Sequence, residues 1–259
     1  MTVINNEIVQ KLKTAHRTKE PINFIRNHYN LNEPTAYSVQ DQFIKEKCDQ
    51  TDENLSGYKI SMTSPDTQAF ANTDEPAYGT YTEGNLMRSQ ESISMASLFD
   101  PLIEPELIFI LTDDLPMRAS EEEIISKSRI AAGIEVPDSR YTDWFPNFSL
   151  EDLLCDNAAA GLAVISETVK APSLDSLADI DMELFHHGEK ISKGNSSNVL
   201  GNPVSAVTWL SKKLSAHDKT LKKGMIISSG TFILPLRVEE GTYKATYTSI
   251  GEVSVAFTP

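Results

Sequence analysis

Glu104 and Glu106 stand two residues apart in Leu102-Ile103-Glu104-Pro105-Glu106-Leu107-Ile108-Phe109-Ile110-Leu111, whose second half is an unbroken run of β-branched, aromatic and leucine residues. That composition fits a strand covered on both faces. Side chains alternate across a strand, so both carboxylates point the same way, together with Ile108 and Ile110. Two acids on an apolar strand repel each other and lose hydration, and an unpaired buried charge costs several kcal/mol even after relaxation. A hard divalent cation between them removes that cost, because Mg²⁺ and Mn²⁺ take carboxylate oxygens. A third acid, Glu135, sits in the apolar run Ile134-Glu135-Val136. Three strand carboxylates can supply three ligands to one octahedral ion and leave positions for water or substrate. The plain alternative is a set of strand-end acids open to water, with Glu135 paired to Arg140 or to a lysine.

Other groups could complete such a site. Lys59 lies between Tyr58 and Ile60. It is either an edge charge or an ammonium held in a pocket, where it could bind a substrate carboxylate or transfer a proton with a lowered pKa. Asp74, in Asp74-Glu75-Pro76, is either a solvated loop charge or an acid that closes over the site. Ser229-Gly230-Thr231 follows a strand and is either a turn or a hydroxyl and backbone N–H offered to an anion. The five histidines, His16, His28, His186, His187 and His217, fall in expected helices or at a hairpin tip, away from the carboxylate strands. None is taken as a ligand, and no nucleophile-elbow, Walker or dinucleotide fingerprint occurs.

The elements that must position these residues change character along the chain. Ile4, Ile8, Leu12 and Ala15 are at helical spacing, and Asn32 or Glu33 opens a second helix with Pro34 in its first turn. Gly57–Ser61 reads as a strand, and residues 63–85, rich in Thr, Ser, Pro, Asp and Gly, as a long loop. Strands are expected at 91–97, 103–111, 131–136 and 161–166, with a capped helix from Ser120 to about Arg129 and a short helix or turn at 150–154. A hairpin is expected at 182–192, a helix from Asn202-Pro203, and closing strands at 225–228, 233–238, 243–247 and 252–257. The class is α+β: a helical part over residues 1–56 and a β-rich catalytic domain over 57–259.

Composition limits the partners. The 259 residues carry a net charge of −14, which argues against nucleic acid. No apolar run reaches the length of a membrane span, and Met1–Glu7 lacks a signal pattern. Two cysteines, Cys48 and Cys155, make no disulfide framework, so a reducing cytoplasm is expected.

The motifs together resemble one family. They are Gly57-Tyr58-Lys59-Ile60 with Thr63-Ser64-Pro65, Asp74-Glu75-Pro76, Glu104-x-Glu106, and Glu135 with Asp138-Ser139-Arg140 and Asp143-Trp144. Asp156-Asn157, Leu200-Gly201-Asn202-Pro203, Ala206, Trp209-Leu210, Ser229-Gly230 and Val253-Ser254-Val255 follow. Their order and spacing, from Ala36 to Phe257, resemble the 2-keto-4-pentenoate hydratase / 4-oxalocrotonate decarboxylase branch of the fumarylacetoacetate hydrolase superfamily. The resemblance implies a mixed β-sheet roll with a helical N-terminal part, and Mg²⁺ or Mn²⁺ on Glu104, Glu106 and Glu135. It implies acid/base work by Lys59 and Asp74, and a homo-oligomer able to associate with another enzyme of its pathway. The implied reaction is hydration of 2-hydroxypenta-2,4-dienoate to 4-hydroxy-2-oxopentanoate in aromatic meta-cleavage catabolism. Two departures keep alternatives open. The hydratase branch usually has a serine shortly after its Asp-Asn pair, where this chain has Ala158-Ala159-Ala160, which leaves 4-oxalocrotonate-type decarboxylation on the same metal site. The hydrolase branch usually has a lysine in that region and a His–Glu pair. This chain has Cys155-Asp156-Asn157 there and no histidine between His28 and His186, so acylpyruvate-type C–C hydrolysis ranks below lyase chemistry, and the intact Glu104, Glu106 and Glu135 set, a burden without a metal, places a non-catalytic partner-binding role below it too.

Overall fold

The computed structural model describes residues 3–259. Two helices come first, α1 (Val3–Thr18) and α2 (Glu33–Thr51). Asn32 caps α2 by accepting from the Thr35 N–H, with Pro34 in the first turn as expected. The chain then runs through β1 (Leu55–Ser61), α3 (Pro65–Phe70), β2 (Ala77–Thr82), β3 (Leu86–Arg88), β4 (Ser92–Ser94) and β5 (Leu102–Leu111). It continues through α4 (Glu121–Ser126), β6 (Ser128–Val136), α5 (Leu150–Cys155), β7 (Leu162–Lys170), α6 (Leu174–Leu177) and the hairpin β8 (Asp181–His186) and β9 (Glu189–Asn195). The last elements are α7 (Pro203–Ser215), β10 (Ile226–Thr231), β11 (Leu236–Arg237), β12 (Gly241–Tyr247) and β13 (Gly251–Thr258).

The strands form two mixed sheets. The larger runs β2-β1-β10-β5-β6-β7-β3, with β11 beside β5, and the smaller runs β4-β13-β12-β8-β9. β1 pairs parallel with β10, and β3 with β7, while β5 is antiparallel to both its neighbours, β10 and β6. The smaller sheet seals against the larger one, where the Tyr247 hydroxyl donates to the Gly133 carbonyl at 2.6 Å. Ile8, Val9 and Leu12 of α1 and Tyr37, Val39 and Phe43 of α2 join one apolar core with Leu107, Phe109 and Ile134 of the sheet. Each fully buried side chain of this size contributes about 1.5–3 kcal/mol. A separate small cluster, Tyr81, Ile108, Ala131, Ala160, Ala163 and Ile226, fills the face of the curled sheet that Ile108 shares with Glu104 and Glu106.

Several boundaries differ from those expected, each for a local reason. Residues 63–85 are not a long loop. Ser64 caps α3 with Thr67 in a reciprocal box and Pro65 at its start, so the polar residues open a helix, and β2 follows. The expected strand at 91–97 shortens to Ser92–Ser94 and turns into a 3₁₀ segment, Met95–Ser97. The helix after Ser120 stops at Ser126, because residues from Ser128 onward pair with β5. Only Leu236–Arg237 of the expected strand 233–238 pairs. The Thr231 hydroxyl donates to the Ile233 carbonyl and accepts from the Ile233 N–H, and Pro235 removes a ladder donor. No helix of the described residues is long and apolar enough to cross a membrane.

Candidate active site

Strand register gathers the acids. Glu104 on β5 lies opposite Glu135 on β6, and Glu106 follows on the same face of β5. One carboxylate oxygen from each of the three lies within 4.8 Å of the others. Glu106 and Glu135 are fully buried, while Glu104 keeps partial access to a cavity. The Glu106 Oε2 accepts from the Ser228 hydroxyl at 2.5 Å and from the Gly230 N–H at 2.8 Å. These bonds come from β10, which lies beside β5. The other oxygen of Glu106 has no hydrogen-bond donor, and neither oxygen of Glu135 has one beyond an ion pair.

That ion pair identifies the partner of Glu135. Lys59 on β1 pairs with Glu135 on β6, two strands beyond its neighbour in the sheet order, placing Nζ 2.9 Å from the Glu135 Oε1 and 3.0 Å from the Ala158 carbonyl oxygen. Arg140, the other partner considered for Glu135, instead binds Asp156. Burial pulls the Lys59 pKa down, but Glu135 and Glu104 outweigh burial and the net shift is upward. The lowered pKa considered from sequence is therefore reversed: three acids surround the ammonium. Burial pushes the Glu104 carboxyl up to about 8, with Lys59 opposing and Glu135 reinforcing. Burial, then Glu135 and Glu104, push Glu106 well up too. Burial, then Glu135 and Glu106, raise the Tyr81 phenol, whose buried hydroxyl has no hydrogen-bond partner. The one ammonium pairs with Glu135, and the other two acids, Glu104 and Glu106, carry the raised pKa values. Partnerless oxygens on Glu106 and Glu135 beside Glu104 match the all-oxygen ligand set of a hard divalent ion, so these residues fit Mg²⁺ or Mn²⁺.

A turn in an uncommon conformation holds the carbonyl that Lys59 reaches. Asn157, Ala158 and Ala159 have φ of 58°, 51° and 52°, three consecutive non-glycine residues in the left-handed region. Each such residue costs roughly 1–2 kcal/mol, so the surroundings must enforce the shape. The Asn157 side chain accepts from the Thr80 N–H at 2.8 Å and donates to the Thr80 carbonyl at 2.9 Å, pairing with β2 as a strand would. The Ala159 carbonyl accepts from the Asp138 N–H at 2.9 Å. Asp156, just before the turn, is fully buried and accepts from the Arg140 guanidinium, from the Ser139 hydroxyl at 2.7 Å and from the Arg140 N–H at 3.0 Å.

The cavity above the acids is lined on one side by Lys59, Glu104, Ala158, Ala159 and Thr231. Met62, Phe70, Trp144, Phe145, Phe148 and Leu153 also line it, together with Ser61 and Thr67. Of the expected anion-binding turn, Thr231 lines the cavity, whereas Gly230 commits its N–H to Glu106 and Ser229 buries its hydroxyl without a hydrogen-bond partner. Asp74 is exposed and lines an adjoining groove with Thr63, Ser64 and Thr231 instead of the cavity itself. Its neighbour Glu75 is tied to Lys213 at 2.6 Å. Ser228, the Ala158 carbonyl and the aromatic wall escaped the sequence reading. A serine on a strand and an alanine in a turn carry no local signal of what they will face.

Fold and site together define a curled mixed sheet that gathers acids from two adjacent strands beneath a half-apolar cavity. The chain belongs to the fumarylacetoacetate hydrolase family, and residues 68–250 match the family's C-terminal domain, described as Fumarylacetoacetate (FAA) hydrolase C-terminal. A 2-keto-4-pentenoate hydratase of Burkholderia vietnamiensis is 33% identical over 227 residues, 86% of this chain and 85% of its own. A second, from Paraburkholderia phymatum, is 31% identical over 252 residues, 95% of each chain. Among solved structures, the 4-oxalocrotonate decarboxylase of Pseudomonas putida G7, complexed with magnesium and adipate, superposes with a TM-score of 0.88 over 97% of this chain and 96% of its own. At 22% identity that likeness shows the shared fold, and with it the expected roll with helices before it.

Proposed function

We propose that this chain is a divalent-metal-dependent hydro-lyase that converts 2-hydroxypenta-2,4-dienoate to 4-hydroxy-2-oxopentanoate. One observation carries the reading: the buried Glu104, Glu106 and Glu135 cluster opens on a cavity in which Lys59 is the one cationic side chain among the described residues. The names of the relatives at 31–33% identity support the reaction. The magnesium complex of the decarboxylase supports the metal.

Glu104, Glu106 and Glu135 hold the ion, which supplies Lewis acidity toward a 2-oxo acid's carboxylate and 2-oxo oxygen. Ser228 and the Gly230 N–H fix the rotamer of Glu106, so its free oxygen stays aimed at the centre. Lys59 has three donor hydrogens, of which Glu135 and the Ala158 carbonyl take two. The third is free to bind substrate and to move a proton at Nζ during the tautomerisation that precedes water addition. Asp74 is the second acid/base group in this reading. It lies in the groove that shares Thr231 with the cavity, so the segment after α3 must move for it to reach substrate.

The alternative is 4-oxalocrotonate-type decarboxylation, which the decarboxylase fold supports. A second cation for the second carboxylate would favour it, and Lys59 is the one cationic residue among the described residues that line the cavity. Hydrolysis of a C–C bond has less support, because no histidine is among the described residues that line the cavity. The family resemblance supports a homo-oligomer, in the cytoplasm, that associates with another enzyme of aromatic catabolism. Incubation with 2-hydroxypenta-2,4-dienoate and with 4-oxalocrotonate separately, trapping CO₂ from the second, tests the choice. Release of CO₂ with no hydration of the dienoate would replace hydratase by decarboxylase.

A further inference from the structure

Part of the cavity lining is an aromatic wall built of rings in contact with one another. Phe70 of α3 meets Phe145 edge to face at 5.2 Å between ring centroids. Phe145 meets Trp144 at 5.6 Å, and Trp144 meets Phe148 at 6.0 Å. Trp144 and Phe148 are buried, whereas Phe70 and Phe145 are only partly so. The polar atoms of the wall are engaged behind it. The Trp144 Nε1 donates to the Asp100 carbonyl at 2.8 Å. Arg237 pairs with the Asp100 carboxylate and donates to the Phe145 carbonyl at 3.0 Å. The wall therefore offers rings and no cation to the cavity, whose lining also includes the hydroxyls of Ser61 and Thr67, the latter donating to the Ser64 carbonyl.

We propose that Phe70 and Phe145 determine specificity, selecting 2-oxo and 2-hydroxy-dienoic acids that end in an apolar alkyl or aryl group and rejecting those that end in a second carboxylate. The inference rests on the 2-oxo acid reading above and names which members of that class the site takes. Lys59 and the acid cluster hold the substrate's 2-oxo acid end, so its other end meets the rings. An apolar tail there completes the burial of Phe70 and Phe145. A terminal carboxylate there loses its water against aromatic faces and gains no cationic partner, the costly case for a buried charge. A single apolar group in such a pocket discriminates by roughly 10–200-fold.

The test uses the full chain loaded with Mg²⁺ and three inert acids: pyruvate, 2-oxohexanoate, and 2-oxoadipate, which matches 2-oxohexanoate in length and ends in a carboxylate. Calorimetric titration in about 0.5 M salt screens long-range repulsion by the acidic chain. 2-Oxohexanoate is expected to bind at least about tenfold more tightly than pyruvate or 2-oxoadipate. Phe145→Arg, or Phe70→Arg on the helix surface should the first fail to fold, should raise 2-oxoadipate affinity above that of 2-oxohexanoate. Binding of pyruvate with 2-oxoadipate equal to or tighter than 2-oxohexanoate in the unaltered chain overturns the specificity and leaves the 2-oxo acid site standing. Failure of all three acids to bind the Mg²⁺-loaded chain overturns both.

Discussion

Glu106 is fully buried, bonded through one oxygen and bare on the other. Glu106→Gln keeps the oxygen that Ser228 and Gly230 bind and removes the charge. The fold should survive by circular dichroism, while Mn²⁺ affinity measured by calorimetry falls at least about 100-fold, beyond the usual effect of an outer-sphere partner. Unchanged affinity would put the ion elsewhere. Lys59→Met separates two roles. It leaves Glu135 without its ammonium, which costs on the order of 3–5 kcal/mol in a buried pair. Melting of the metal-free protein should drop accordingly, and Mg²⁺ should recover much of the loss, while turnover stays about 10²–10⁴-fold down. Failure of Mg²⁺ to narrow the gap would mean that the ion does not share the cluster with Lys59. The three glutamates were legible because charge inside an apolar strand has few inexpensive explanations. Ser228 was not, because its role exists only once β10 lies against β5, more than a hundred residues away in sequence. The irregularity between Ser228 and Thr231 also shifts which residues of that strand face the cavity.

At the scale of elements, β2 and the turn after α5 form one unit. A Cβ on Gly79 would sit 2.3 Å from the Asn157 carbonyl oxygen, too close for any real contact. Gly79→Ala should therefore displace the left-handed turn, lower stability by about 2 kcal/mol or more in urea unfolding, and impair turnover through the Ala158–Lys59 contact. Full activity in that variant would detach the turn from the chemistry. The helical part carries a pH signature of its own. Burial, then the charges of Arg140, Lys19 and Lys47, lower the His16 pKa from 6.5 to about 3. A group depressed in the folded state takes up its proton first in the unfolded state. Its stabilisation is thus complete above about pH 6.5 and is lost as pH falls toward about 3. His16→Gln should flatten the fall in urea midpoint between those limits, by roughly 1–3 kcal/mol across the window. An unchanged slope would refute this. Capped helices such as α2 and α7 were readable from Asn32-x-Pro34 and Asn202-Pro203. α3 was not, because the Ser, Pro and Thr that cap it are the same residues that make loops.

For the whole molecule, three acids gathered around one internal ammonium repel one another wherever no cation lies between them, within a protein of net charge −14. Saturating Mg²⁺ or Mn²⁺ at about 100 times its dissociation constant adds about 2.7 kcal/mol to stability. For a chain of this length that is roughly 5–10 °C in melting temperature. A chelator should reverse it, and no shift would mean no specific site. The α+β class followed from the run of strands and few helices, but the roll did not follow from periodicity. β1 lies between β2 and β10, one adjacent in sequence and one at the far end of the chain, and no local pattern encodes such pairings. The roll as a whole was legible from the order of motifs shared with a family, and these pairings were not. The aromatic wall, drawn from α3 and from residues 144–148, was legible from neither.

Metal-dependent hydration at the glutamate cluster is tested most directly by following loss of 2-hydroxypenta-2,4-dienoate in the ultraviolet, with the chelated protein, after Mg²⁺ or Mn²⁺ is restored, and with Glu106→Gln alongside. The account predicts turnover only with the metal restored, 4-hydroxy-2-oxopentanoate as product, and none from the variant. Turnover by the chelated protein, or by Glu106→Gln at the unaltered rate, would contradict it.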